Sequence, residues 1–415
     1  MQRRKGETGF VSSVRCSLFM LSLTMKIKIM FLLLILAFLN IDPSHATSSH
    51  EIKEDHGKEE KSSGGMDMNL KRPVLGIEVS RAIMFEDIIE KIKDKKIIYV
   101  GEQHDRYEHH LVQLEIIKAL KERGQDIAIG MEMFLHKYQM VLNDYIEGRI
   151  DEREFLKSSH YFKTWGFDYL LYRDILNFAR ENRIPVIGLN LPREIVNKVG
   201  RSGIDSLTEE EKKELPSDME MNDEEYKRRL KETFEKHEGS EERDFERFYQ
   251  SQIIWDEIMA QRIDEYMKQN PSKKMVVIVG GGHLAYSSGI PKRAFRRNGL
   301  SHAVILNNED VFTGIADYIL YPEPVSEPET PKLMTMLKDD EEGVRITGFP
   351  EKSISKKAGL MEGDLIVSID GEKVNTVDDI KILLIYKKKG DKIKVGVRRK
   401  VFLFGERLRQ FDITL

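Results

Sequence analysis

The 415-residue chain carries 66 Lys and Arg against 70 Asp and Glu, a net charge of −4, with 40% hydrophobic residues and a single cysteine. A near-balanced charge excludes a generic nucleic-acid binder, which shows a strongly basic domain. One cysteine excludes a disulfide scaffold and a thiolate-rich zinc site, and the length exceeds one ordinary domain.

From Met25 the chain reads MKIKIMFLLLILAFLNIDPSHA. Basic residues (Lys26, Lys28) precede an apolar run from Ile29 to Leu39, and small residues stand at Ser44 and Ala46. This pattern predicts a leader and secretory signal peptide over residues 1–46, cut near Ala46, with Met25 as a plausible start. The run is shorter than the ~20 residues of a spanning helix. The expectation is an exported protein, periplasmic or envelope-associated. No cysteine follows the run to accept a lipid, and Cys16 lies in the leader. Residues 47–72 are polar and Gly/Ser-rich and read as a flexible linker in which His50 and His56 are solvated.

Residues 73–320 alternate short apolar runs with amphipathic stretches. The runs cover 95–104, 126–134, 184–190, 273–283 and 302–307, rich in Val and Ile and without clean alternation. Strands buried on both faces look like this. Helical patterns lie between them, at 109–124 and 168–183 among others. The fold class is therefore α/β, a mostly parallel layered sheet. A charged insert at about 205–245 predicts a helical cap. Four prolines in YPEPVSEPETP mark residues 321–332 as a linker to a C-terminal domain at 333–415.

Four of the five runs end in polar residues: Glu102, Gln103 and His104; Glu132; Asn190; and His283 after a triple glycine. The carboxyl ends of parallel strands lie along one sheet edge, where open α/β sheets bind ligands. Capping of the next helix accounts for Asn190 and Asp105 but not for two histidines and two glutamates together. Glu102, His104, Glu132 and His283 suit either a divalent metal or metal-free activation of water. The spacing is not that of H-E-x-x-H, and no G-x-S-x-G elbow is present. After the GGGH turn, Tyr286 and a helix with Lys292, Arg293, Arg296 and Arg297 could meet an anionic ligand. A phenolate is also an axial ligand type for haem iron.

The ordered segments GEQHD (101–105), GMEMF (130–134), WGFDYLLYRDILNFA (165–179), IGLNLPREI (187–195), QSQIIWDEIMA (250–260) and GGGHLAYSSGIPKR (280–293) resemble the ChaN family of haem-binding uptake proteins, within the Tiki-like superfamily. The resemblance implies an α/β haem-binding domain with a helical cap, often dimeric. It places His104, His283 and Tyr286 near the haem and Arg293 near its propionates. The superfamily also holds Tiki metalloproteases and erythromycin esterases. By that likeness Glu102, His104, Glu132 and His283 would be catalytic in a hydrolase or metallopeptidase. Iron-uptake members are often lipoproteins, from which this chain departs.

Residues 345–400 resemble a bacterial PDZ domain, a small β-rich (α+β) fold. The resemblance rests on Ala358-Gly359-Leu360, Gly363-Asp364, Ile369-Asp370-Gly371 and Gly390-Asp391, turn formers between strand-like runs. It implies a peptide or protein C-terminus as partner, received by Gly343, Arg345, Ile346, Gly348 and Phe349.

Overall fold

The computed structural model describes residues 82–235, 244–401 and 405–415; the expected signal peptide and first linker lie outside them. After helix α1 (Phe85–Ile92), a sheet begins with β1 (Ile97–Glu102), followed by α2 (Tyr107–Glu122) and β2 (Ile127–Leu135). Helices α3 (Gln139–Ile146), α4 (Glu152–Ser158), α5 (Tyr161–Thr164) and α6 (Arg173–Glu181) separate β2 from β3 (Val186–Asn190). The chain continues through α7 (Arg193–Ser202), α8 (Glu209–Lys212), α9 (Glu224–Glu235) and the long α10 (Phe245–Gln269) to β4 (Lys274–Gly280). Helix α11 (Ile290–Asn298) then leads to β5 (His302–Asn307) and β6 (Tyr318–Leu320).

The six strands run in the order β3-β2-β4-β1-β5-β6, and every pairing is parallel. All residues of β1, β2 and β3 are buried, as helices on both faces require. The α/β expectation is met, and β6 is a sixth strand that the sequence did not announce. Register fixes the site: β1 pairs with β4 so that Glu102 stands opposite Gly280. Among the described residues no helix is long and apolar enough to cross a membrane.

The C-terminal part forms a second, antiparallel sheet. Its strands are β7 (Met336–Asp340), β8 (Gly343–Gly348), β9 (Leu365–Ile369), β10 (Glu372–Lys373), β11 (Lys392–Val401) and β12 (Gly405–Thr414). The order is β12-β11-β9-β8-β7, with β10 on β9. Helix α12 (Ile354–Lys357) and α13 (Val377–Leu384) complete it. Thr376 caps α13 by accepting from the Asp379 N–H, and Asp379 returns the bond to the Thr376 backbone. Ile380, Leu383 and Leu384 pack in the core of this sheet, whereas Ile382 and Ile385 join the core of the α/β domain.

Candidate functional site

Glu102 ends β1 with its carboxylate buried. Its Oε1 accepts from His104 Nδ1 at 2.6 Å and from the Tyr172 hydroxyl at 2.7 Å. Its Oε2 accepts from Gln113 Nε2 at 2.8 Å and lies 3.2 Å from His110 Nδ1. Burial alone would raise the Glu102 pKa, but His110 and His104 overcome it and hold the carboxyl below its usual range. The same pairing raises His110 despite its burial.

A second carboxylate-held imidazole mirrors the first. His283 Nδ1 bonds Asp256 Oδ1 at 2.7 Å, and Asp256 Oδ2 accepts from the Tyr226 hydroxyl at 2.7 Å. Burial works against a charged His283, yet Asp256 raises its pKa above the ordinary value. Between the two imidazoles sits Glu132, whose Oε2 accepts the Gly280 N–H at 2.8 Å and whose Oε1 is 3.7 Å from His283 Nε2. Gly280 leaves room for the ring here: a Cβ would lie 3.2 Å from both Cε1 and Nε2 of His104 and 3.7 Å from Glu132 Oε2. Each histidine thus spends Nδ1 on a carboxylate and keeps Nε2 toward the centre, where it can act as ligand, acid or base.

Aromatic rings wall the pair. Trp165 meets His104 edge-on at 5.0 Å, Phe167 lies 4.9 Å from it, and Trp255 meets His283 edge-on at 5.0 Å. Trp255 Nε1 donates to Asn190 Oδ1 at 2.6 Å, and Asn190 Nδ2 donates to the Glu132 carbonyl at 3.0 Å. Asn190 is therefore a bridge between β3, β2 and α10, not a helix cap; α7 begins beyond it, after Pro192. Asp105 likewise does not cap α2, whose first flanking residue is Arg106.

The structure brings Glu102, His104, Glu132 and His283 together. Tyr286 follows in a left-handed turn (φ 60°), succeeded by Ser287 (φ 52°), and is half-buried. Two consecutive non-glycine residues in that region are a concentration of backbone strain, which persists only where surroundings impose it. Arg293 is enclosed beside the turn it follows, and its Nε and Nη2 make no hydrogen bond. It has no exposed surface, and its Nη1 donates to the carbonyls of Ser288 (2.6 Å) and Gly289 (3.1 Å). Its guanidinium covers the Tyr226 ring at 5.0 Å. The other cations of α11 are paired too: Lys292 with Asp223, Arg296 with Asp218 and Glu257, and Arg297 with Glu257. The basic helix is thus committed to internal acids. Among the described residues no group of three or more His, Cys, Asp or Glu side chains stands close enough to hold a metal ion.

Residues not anticipated from sequence complete the site. Asp256 and Trp255 come from α10, Tyr172 precedes α6, and His110 and Gln113 lie on α2. Adjacent His109 is buried as the neutral form: Nδ1 accepts the Gln103 N–H at 3.0 Å, and burial pushes its pKa down to about 4. A depressed histidine contributes stability that is full above its unfolded value near 6.5 and lost as pH falls toward about 4. Replacing His109 with the non-titrating Gln is expected to flatten this acid limb by roughly 2–3 kcal/mol, read as urea midpoint against pH. An unchanged slope between pH 6.5 and 4 would refute the assignment.

In the C-terminal sheet, β8 carries Gly343, Arg345, Ile346 and Gly348 and is paired with β7 on one side and β9 on the other. A strand with both neighbours in place cannot accept a peptide by strand addition. The edges of this sheet are β12 and β7, and β7 (Met336–Asp340) is the edge next to β8. Phe349 packs against the core of this domain. Arg345 bonds Asp340 at 2.7 Å.

This is an α/β domain with a buried histidine–carboxylate cluster at the strand ends, joined to a small antiparallel β module. Residues 88–294 match the family model described as haem-binding uptake, Tiki superfamily, ChaN, and residues 331–415 match the PDZ domain model. The chain belongs to the ChaN family and carries a C-terminal PDZ domain. A curated relative, Protein RETICULATA-RELATED 5, chloroplastic, of Arabidopsis thaliana, is 30% identical over 131 residues. The match takes in 30% of this chain and only 17% of that protein's length. Similar solved structures include cofacial heme binding to ChaN of Campylobacter jejuni, at 19% identity and TM-score 0.47, covering 57% of this chain and 91% of that one. Another is an erythromycin esterase mutant, EreC, in its open conformation, at 14% identity and TM-score 0.33, covering 54% and 72%. A third is the HtrA-type protease AlgW with decapeptide, at 17% identity and TM-score 0.18, covering 20% and 28%.

Proposed function

We propose that this chain is an exported haem-binding protein of haem or iron handling, whose PDZ domain attaches it to a peptide or protein C-terminus in the envelope. The carrying observation is the pair of imidazoles, His104 and His283, each oriented by a carboxylate and each with Nε2 unspent, set among Trp165, Phe167 and Trp255. Imidazole and phenol are donor types that haem iron accepts, and flat aromatic rings suit a porphyrin face, so the residues fit the group. His104, His283 and Tyr286 are the residues that would hold it. When bound, haem would supply an iron centre for binding or electron transfer; the chain supplies orientation through Glu102 and Asp256. Arg293, being buried and bonded internally, is left out of this reading.

Export rests on the leader pattern, and pairing of two chains on the family resemblance. Peptide capture is assigned to the β7 edge beside α13. Haemin titrated into purified protein is expected to give a saturable Soret band that Tyr286→Phe shifts. Absence of a saturable band would overturn the haem reading.

A second reading has its own support. Two carboxylate–imidazole pairs around Glu132 are also equipped to activate water, as in a hydrolase or metallopeptidase. Turnover of peptide or ester substrates that disappears in Glu132→Gln, or on chelation where a divalent metal takes part, would favour it over haem handling.

A further inference from the structure

Helix α13 has two apolar faces. Ile380 and Leu384 point into the PDZ core, and Ile382 and Ile385, nearly opposite on the helix, enter the core of the α/β domain. The second face rests on α4 and α5.

Around it the contacts are polar and specific. The Tyr386 hydroxyl donates to Glu152 Oε2 at 2.7 Å, and its ring is flanked by the guanidinium groups of Arg153 (5.1 Å) and Arg173 (5.3 Å). Lys381 covers the Phe162 ring at 5.5 Å. In the linker, Thr330 donates to Asp168 through both its N–H (2.9 Å) and its hydroxyl (2.8 Å).

Every one of these contacts falls on residues 152–173, and that segment carries the cover of the cleft. Trp165 and Phe167 lie against His104, with Asp168 next to them. Glu152 accepts from both Tyr386 and the Tyr169 hydroxyl (3.0 Å), and Tyr172, one turn on, donates to Glu102, the carboxylate that holds His104. The side-chain bonds at Glu152 and at Glu102 are joined through the backbone, where the Tyr172 N–H donates to the Tyr169 carbonyl at 3.0 Å, so a connected route leads from the PDZ domain to the first imidazole of the cleft.

We propose that the C-terminal domain is a latch on the cleft: docked through α13 it holds residues 152–173 closed over His104, and undocking opens that side. A peptide strand entering between β7 and α13 presses on one face of the helix whose other face is the dock, so partner binding is the natural release. The latch does not depend on the identity of the cleft ligand.

The test is hydrogen exchange on the full chain without haemin, comparing wild type with Tyr386→Phe and, separately, Lys381→Ala. Both variants keep the buried face of α13 intact. In Tyr386→Phe, exchange across 152–173 is expected to rise about tenfold, the factor set by loss of one hydrogen bond to a charged group. Exchange in β1 and β4 should stay unchanged, and haemin, where it binds, should associate faster. Faster exchange confined to α13, or shared equally by β1 and β4, would overturn the latch. Localised acceleration in a chain that binds no haemin would keep the latch and reject the haem reading.

Discussion

Glu102→Ala is expected to be the most damaging single substitution in the cleft, lowering stability by about 3–5 kcal/mol. The cost arises from what remains. At this buried site His104 Nδ1, the Tyr172 hydroxyl and Gln113 Nε2 lose their Glu102 acceptor, and His110 loses the carboxylate that raises its pKa. Glu102→Gln keeps the volume and some acceptor capacity and should cost roughly half as much. The pH dependence separates charge from shape. Glu102 is held below its ordinary range, so its contribution is full above an unfolded value near 4.3 and is lost as pH falls through the depressed folded pKa. His110 is raised, so its share is full below about 6.5 and is lost as pH climbs through the elevated folded pKa. The stability gap between wild type and Glu102→Gln should therefore be widest between about pH 4.3 and 6.5 and narrow on both sides. Urea unfolding across pH measures it, and a gap that does not vary with pH would show that the carboxylate acts by shape alone.

The sheet was legible because its strands are buried on both faces. The apolar run HAVILN (302–307) coincides with β5, and DIAIGMEMF (126–134) matches β2 to within one residue at each end. Strand β6 escaped notice because Tyr318, Ile319 and Leu320 are only half-buried and too few to form a recognisable run. The site divides in the same way. Strand-end polar residues could be gathered from sequence because parallel topology sends all of them to one edge. Asp256 could not, since nothing local distinguishes its carboxylate from the solvated acids around it; only the packing of α10 brings it to His283. In the structure Asp256 and Glu257, set within the apolar stretch IIWDEIMA of this long helix, are both buried. The cations of α11 show the opposite difficulty. A basic helix beside a triple glycine looks like an anion site, but its partners Glu257, Asp218 and Asp223 lie far away in the chain. Strand β7 of the PDZ domain went unread because MLKDD is too charged to read as a strand, although an edge strand tolerates that composition.

Gly289→Ala should disable the cleft from outside it. Gly289 has φ −85° and ψ −117°, and a Cβ there would stand 2.1 Å from the His283 carbonyl oxygen and 2.9 Å from its carbonyl carbon. The obstacle is backbone, so no side-chain rotation relieves it, and the Leu284–Ser288 turn must shift with its already left-handed Tyr286 and Ser287. Overpacking of this kind costs about 1–3 kcal/mol in stability. The larger effect falls on the site. Displacing the His283 backbone stretches the 2.7 Å bond to Asp256, and the imidazole loses the orientation that keeps Nε2 toward Glu132. Loss of an orienting partner of this type reduces ligand affinity by about 10–100-fold. Gly282→Ala is the matched control on the same loop: nothing lies within 4 Å of its added Cβ, and its φ is unexceptional. Haemin titration of the two variants should therefore show near wild-type binding for Gly282→Ala and a strongly weakened Soret response for Gly289→Ala, with Asp256→Asn weakened to a comparable degree. Equal affinities for Gly289→Ala and Gly282→Ala would mean that His283 is not the residue through which this turn serves the cleft.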